Sequence, residues 1–243
     1  RLGTYIATQF KPIVAKTIYN MTDAKTVLDT SMGWGDRLAG FYASNATHYI
    51  GCDPNPYTFD VYSQMISEYA KLAPGKTTQI YRCGAEDLPW DSIENVDCAF
   101  TSPPYFSTEE YNKGGEFEKD QSWAKFNEYD KWRDEFYLPV ALNSFNSLSD
   151  NGFLLTNIMD PKVKGVRHRS GDELVDSLHE HWLGQLGMRI MQRPQGKNKF
   201  KTHEELVEFM IKIYIENVWC FGKNKDFDFF RHKRRATLES LFE

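Results

Sequence analysis

The sequence predicts an α/β fold: a mostly parallel sheet with helices on both faces. Three observations predict it. Short apolar runs alternate with longer stretches of helical periodicity along most of the chain. Runs such as Val27-Leu28 and Cys98-Ala99-Phe100 are apolar at consecutive positions, as strands covered on both faces are. Gly, Pro, Asn and Asp punctuate the passages between runs.

The first helix spans 8–20, opened near Pro12, with Ile13, Val14, Thr17 and Ile18 as its apolar stripe. Lys25 to Asp29 is the first strand, and Thr30-Ser31-Met32-Gly33-Trp34-Gly35 is a turn. Asp36 to Ser44 is helical, with Leu38, Phe41 and Tyr42 on one side. The second strand, 47–52, ends at Asp53-Pro54-Asn55-Pro56, where Asn55 caps a helix over 56–71. Strands at 77–82 and 96–101 follow, then a long polar stretch, 106–127, too long for a simple connector and read as a lid or a partner-binding element. A helix at 129–148 carries Trp132, Phe136, Leu138, Leu142 and Phe145. Asp150-Asn151-Gly152 turns into a strand at 153–159. A helix at 171–184 and a strand at 187–193 come next. The last strands, 207–214 and 217–221, joined near Ile215-Glu216, form an antiparallel edge. There is no internal repeat and no low-complexity segment.

With 243 residues, 41% of them apolar and 15% aromatic, the chain is long enough for one large globular domain, 1–243. No apolar run is long enough to span a bilayer, and the opening Arg1-Leu2-Gly3-Thr4-Tyr5 lacks the pattern of a signal peptide. A net charge of −5 excludes a uniformly basic coat but not a local basic face. Cys52, Cys83, Cys98 and Cys220 show no CxxC spacing and read as buried apolar residues of a reducing compartment. His168 and His203 have no partners at metal-ligand spacing, so no metal is assigned.

In such a sheet, ligands sit outside the carboxyl ends of the strands. The residues there are Asp29 with Gly33 and Gly35, then Asp53, then Glu86 and Asp87, then Ser102-Pro103-Pro104-Tyr105. Glycine lets backbone approach a ligand closely. The turn lacks the third glycine of the dinucleotide fingerprint and the Gly-Lys of a phosphate loop, so nothing here cradles a diphosphate. Asp53 has two oxygens to accept from the two hydroxyls of a ribose. The ligand read from this set is a nucleoside without phosphate. The two prolines stiffen the turn after the fourth strand, so the carbonyls beside Ser102 point in fixed directions.

Together these residues resemble the class I S-adenosylmethionine-dependent methyltransferases, and more narrowly the amino-group DNA methyltransferases. Asp29-Thr30-Ser31-Met32-Gly33-Trp34-Gly35 matches the cofactor loop, Asp53 the ribose acid, Ser102-Pro103-Pro104-Tyr105 the catalytic motif, and Gln9-Phe10-Lys11-Pro12 the segment that closes over the methionine end. The loop departs from the usual Asp-Pro-Phe opening, and no separate target-recognition domain is present; recognition is left to loops 106–127, 160–170 and 194–205.

The resemblance implies a Rossmann-like fold with a mostly parallel seven-stranded sheet and an antiparallel edge hairpin. It implies S-adenosylmethionine as cofactor, bound by Phe10, Asp29, Met32, Gly33, Gly35, Asp53, Glu86 and Asp87. Alternatives stay open for several of these. Asp29 either contacts the cofactor or caps the loop, Glu86 and Asp87 compete for the adenine amino group, and Phe10 and Trp34 either face the sulfonium or pack in the core. The implied reaction is direct methyl transfer to the exocyclic amino group of a flipped base in double-stranded DNA. Ser102 and the Pro103 carbonyl accept from that group, and Tyr105 stacks on the base. Serine at the first motif position favours cytosine N4 over adenine N6, and no Pro-Cys pair offers a thiolate for cytosine C5 chemistry. Lys162, Lys164, Arg167, Arg169, Lys197 and Lys199 are the candidate phosphate contacts. The implied location is a prokaryotic or viral-host cytoplasm. The competing readings are an RNA or protein-amide N-methyltransferase and a non-catalytic nucleic-acid-binding module.

Overall fold

The computed structural model describes residues 9–108, 110–189, 202–205 and 215–224. Helix α1 (Pro12–Met21) starts on Pro12, whose missing N–H costs nothing in a first turn. It is followed by β1 (Thr26–Asp29), α2 (Asp36–Tyr42), β2 (His48–Cys52) and α3 (Pro56–Leu72). Asn55 caps α3, its side chain accepting from Tyr57 N at 3.1 Å. Then come β3 (Thr77–Tyr81) and β4 (Val96–Thr101). The stretch expected as a long loop folds into 3₁₀ turns at Phe106–Thr108 and Glu118–Asp120 and the short α4 (Ser122–Lys125).

The expected helix at 129–148 comprises α5 (Tyr129–Trp132), a π-helical turn (Arg133–Tyr137) and α6 (Leu138–Asn146). The cause is Pro139. It has no N–H to donate, and its ring would press on the Glu135 carbonyl four residues back, so the preceding turn widens.

β5 (Leu148–Asn157) begins five residues before the expected strand start. Its pairing with β4 jumps from Val96↔Leu148 to Cys98↔Phe153, so the expected Asp150-Asn151-Gly152 turn is a bulge within the strand. Gly152 is required there, since a Cβ would lie 2.6 Å from Val96 O. The facing Asp97 carboxylate accepts from Lys25 N and Thr26 N, both at 2.9 Å, and so fixes the start of β1.

The two-residue strands β6 (Lys162–Val163) and β7 (Val166–Arg167) form a hairpin in the 160–170 loop. Helix α7 is Ser170–Ser177, not 171–184, and β8 runs Trp182–Arg189 rather than 187–193. Residues 182–189 pair along β9 (Ile215–Gly222), and ladder bonds there outweigh the helical pattern. Ile215-Glu216, expected as a junction, starts β9; the expected strand at 207–214 lies outside the described residues.

The seven strands are ordered β3-β2-β1-β4-β5-β9-β8. The first five are parallel, and β9 is antiparallel to both neighbours, giving the antiparallel edge. Adjacent strand residues face opposite ways and both are buried. Leu28, Ala99 and Leu154 pack with Trp132 and Phe136 on one face. Val27, Cys98 and Leu155 pack with α1 and α2 on the other. The α1 stripe is Ala15, Ile18 and Tyr19, whereas Ile13 is 60% exposed. Cys52, Cys98 and Cys220 are buried free thiols, and Cys83 is half-buried. No described helix is long and apolar enough to cross a membrane. The strand order reverses between β1 and β4, which opens a crevice at their carboxyl ends.

Candidate functional site

A cleft of about 220 Å³ occupies that crevice. The loop after β1 forms its floor. Asp29 itself is fully buried beneath the loop rather than among the lining residues. Its carboxylate accepts from Ser31 N (3.1 Å), Tyr49 OH (2.7 Å) and Arg37 Nε (2.9 Å), and the Arg37 guanidinium also donates to Ser31 O. Burial alone would lower the Arg37 pKa, but the Asp29 charge, its hydrogen bond to Arg37 and the nearby Tyr49 and Tyr19 together outweigh burial and raise it. The lining residues are Thr30 to Trp34, one step beyond Asp29.

The loop is drawn in tightly. Gly33 has φ +57°, and Gly35, with φ +81°, starts α2 where a Cβ would meet Met65 at 2.7 Å. Met32 N donates to Cys52 O at 3.0 Å, and Tyr62 OH donates to Gly33 O.

Asp53, after β2, is buried with its carboxylate preset. Oδ2 accepts from Gly33 N (2.9 Å), and Oδ1 accepts from Asn55 N (2.9 Å) and Thr58 Oγ1 (3.2 Å). One side chain thus joins the loops after β1 and β2. Burial raises its pKa, and the donated hydrogen bonds only partly counter this.

Of the two acids after β3, Glu86 lines the cleft and Asp87 does not. The Lys125 ammonium holds both, at 2.7 Å from Glu86 Oε1 and 3.3 Å from Asp87 Oδ2, yet Asp87 is 62% exposed. Glu86 Oε2 is buried without a hydrogen-bond partner, an acceptor the fold itself leaves unused.

All four residues of Ser102-Pro103-Pro104-Tyr105 line the opposite wall. Phe106 then turns the chain away at φ +51°, uncommon for a bulky residue, and its ring packs 5.8 Å from both Tyr129 and Trp132. Phe10 lines the cleft and packs edge-on against Phe100 at 5.8 Å. The Arg37 guanidinium lies 5.2 Å from its ring. Trp34 is on the rim, 54% exposed.

Several lining residues were not singled out from the sequence. Asn157, at the end of β5, bonds both Ser102 and Tyr105. Gln121 and Ser122, from the 106–127 stretch, carry buried polar atoms without partners. The strand expected at 153–159 runs two residues past Asn157, which is where β5 ends.

Of the candidate phosphate contacts, Lys162, Lys164, Arg167 and Arg169 are not among the residues that line the cleft. Lys162, Lys164, Arg167 and Arg169 are exposed on and beside the β6–β7 hairpin, with Arg169 3.4 Å from Asp172. The hairpin is anchored by His168, whose N–H donates to Pro161 O (3.0 Å) and whose ring stacks 3.7 Å from Tyr129. Lys197 and Lys199 lie outside the described residues.

The cleft chemistry fits a nucleoside sulfonium: a buried carboxylate with fixed oxygens, a second carboxylate oxygen without a partner, and closely packed glycine backbone. Comparisons agree. The N6/N4 methyltransferase family model, described as DNA methylase, matches residues 96–239, more than half of the chain. Two similar structures are the methyltransferase subunit of a type I restriction-modification system from Streptococcus thermophilus and an O-methyltransferase family protein from Burkholderia thailandensis. The first has a TM-score of 0.55 at 19% identity, over 90% of this chain and 45% of that one. The second has 0.50 at 10% identity, over 89% and 56%. At such identities they show the shared fold, and this chain spans about half the length of each. No curated protein matches. The chain belongs to the DNA methylase family of N6/N4 methyltransferases, and its cofactor is S-adenosylmethionine.

Proposed function

We propose that this chain is a site-specific DNA methyltransferase acting on the exocyclic amino group of a base turned out of the duplex, cytosine N4 in preference to adenine N6. The observation that carries this is the placement of Ser102-Pro103-Pro104-Tyr105 across one cleft from Gly33 and Asp53.

S-adenosylmethionine supplies an electrophilic methyl group when bound. Asp53 would accept from the ribose hydroxyls and Glu86 Oε2 from the adenine amino group, with the Gly33 backbone and Phe10 enclosing the remainder and Gly35, outside the cleft lining, setting the turn into α2. Asp29 acts one layer below, holding the loop through Ser31. Met32 serves through its backbone bond to β2, and Asp87 helps position Lys125 against Glu86. An exocyclic amino nitrogen is a weak nucleophile because its lone pair is delocalised into the ring. Ser102 Oγ and the Pro103 carbonyl, accepting hydrogen bonds from its N–H groups, favour a pyramidal nitrogen with the lone pair free to attack. Tyr105 supplies the stacking surface. Lys162, Lys164, Arg167 and Arg169, with Lys197 and Lys199, would contact backbone phosphates. The chain then works as a single domain, 1–243, with recognition on loops 106–127, 160–170 and 194–205.

Incubation with tritiated S-adenosylmethionine and random-sequence double-stranded DNA tests this. Label in DNA, chromatographing as N4-methylcytosine after digestion, is the expected result. N6-methyladenine would correct the base. Label only in RNA or protein would overturn the DNA reading.

Asp53 also sets a pH dependence. Its pKa is raised by burial, so protonation begins at higher pH than for an ordinary carboxylate. Acceptance from two hydroxyls needs the ionised form, so S-adenosylhomocysteine affinity is expected to weaken as pH falls through that raised value. Stability of the ligand-free protein moves the other way. The contribution of protonated Asp53 is present at low pH and lost as pH rises through the folded-state pKa. Asp53→Asn should weaken binding about tenfold or more at neutral pH and abolish the acid limb. Calorimetric titration from acid to neutral pH measures both.

A further inference from the structure

Asn157 ends β5 and is 1% exposed. Its amide has one orientation that satisfies its surroundings. Nδ2 donates to the Asn217 carbonyl of β9 at 3.1 Å, and a carbonyl can only accept. Oδ1 is thereby turned toward the Pro-Pro turn, 3.2 Å from Ser102 Oγ and 3.1 Å from Tyr105 OH. The two hydroxyl oxygens are themselves 3.2 Å apart. Three oxygens thus form a triangle, and Oδ1, pinned by the strand behind it, is the corner that brings no proton. Ser102 Oγ donates toward Oδ1, which leaves a lone pair for the cleft that it lines even where Tyr105 OH donates to it.

We propose that Asn157 is a positioning residue that makes Ser102 a hydrogen-bond acceptor toward the cleft, and so selects a substrate group bearing N–H over one bearing oxygen. This rests on the amino-group reading above. A serine hydroxyl alone has no such preference, since it rotates to donate or accept as its partner requires. Oδ1 supplies the missing direction by holding the proton on the protein side. An oxo group in the amino position, as in uracil against cytosine, then brings lone pairs to lone pairs.

The test uses the full chain with tritiated S-adenosylmethionine and random-sequence double-stranded DNA. Asn157→Leu keeps the branched shape and removes the amide. It is expected to lower kcat about 30-fold, with KM for DNA and the S-adenosylhomocysteine dissociation constant within about twofold. That unchanged dissociation constant also reports a folded cofactor site. Asn157→Asp keeps an oxygen facing the hydroxyls and, as the neutral acid that burial beside the Asn217 carbonyl favours, can still donate to that carbonyl; it should return kcat to within about fivefold of wild type. In a Ser102→Ala background, Asn157→Leu should cost nothing further. Parallel losses in kcat and cofactor binding, or an undiminished effect without Ser102, overturn the proposal.

If wild type labels no DNA, the DNA reading fails while Asn157 is still decided by binding. NMR titration with S-adenosylhomocysteine present should show 2′-deoxycytidine preferred over 2′-deoxyuridine by about tenfold, and Asn157→Leu should bring the ratio near one. Equal affinities in wild type overturn the acceptor role.

Discussion

Tyr105→Ala is expected to lower kcat about 300-fold while S-adenosylhomocysteine binding stays within about threefold. Two losses combine. Stacking of a base on an aromatic ring is worth about 1–3 kcal/mol. The Tyr105 hydroxyl also braces Asn157 at 3.1 Å and faces Ser102 at 3.2 Å, so truncation loosens the group that meets the reacting nitrogen. Tyr105→Phe separates the two: it keeps the ring and removes the oxygen, and should cost about tenfold. Cofactor affinity is spared because Asp53, Gly33 and Glu86 belong to the loops after β1, β2 and β3. Single-turnover kinetics and calorimetry on the same preparations measure both quantities. Equal losses in turnover and cofactor binding would sink the stacking role.

How far the cleft could be read from the sequence depended on the kind of signal each residue left. Asp53 and Ser102 follow strands whose apolar runs are unambiguous, and chain order in a parallel sheet puts strand ends on one rim. Gly33 and Gly35 were legible as glycines in a turn after a strand, where backbone approaches a ligand closely, and the structure adds that both take the positive φ glycine meets without strain. What escaped was decided by contacts distant in sequence. Glu86 and Asp87 are adjacent and both reach Lys125, 39 and 38 positions on, so only the folded cleft shows that Glu86 faces inward. Asn157 meets Ser102 across 55 positions and reads locally as one more polar residue at a strand end. The early start of β8 was masked because residues 182–186 continue a helical pattern until β9 offers ladder partners. The π turn left a local mark, Pro139, inside an otherwise periodic helix.

The largest stability change is expected beneath the cofactor loop. Arg37→Ala should destabilise the fold by about 3–5 kcal/mol, which for a chain of this size lowers Tm by about 10 °C. The reason is what remains. Arg37 and Asp29 are 6% and 0% exposed. Without the guanidinium, the Asp29 carboxylate stays buried, with Tyr49 OH and Ser31 N as donors but no countercharge. A surface pair of the same geometry would contribute about 1 kcal/mol or less. Truncating both partners tests what the pair is for. Asp29→Leu with Arg37→Met removes the charges together, and such replacements of buried pairs are often neutral. Most of the Tm should return. Cofactor binding should not, because Asp29 holds Ser31 N and Arg37 holds Ser31 O, and no apolar side chain replaces either. A double variant that melts near wild type yet binds S-adenosylhomocysteine about tenfold more weakly would assign the pair to loop geometry rather than to net stability. A single Arg37→Ala variant with unchanged Tm would show that water reaches Asp29, and the buried-charge argument would fail with it. The distinction matters for the site, since Gly33 presents its N–H to Asp53 only if the chain leaves β1 in the direction that Ser31, clamped from both sides, sets.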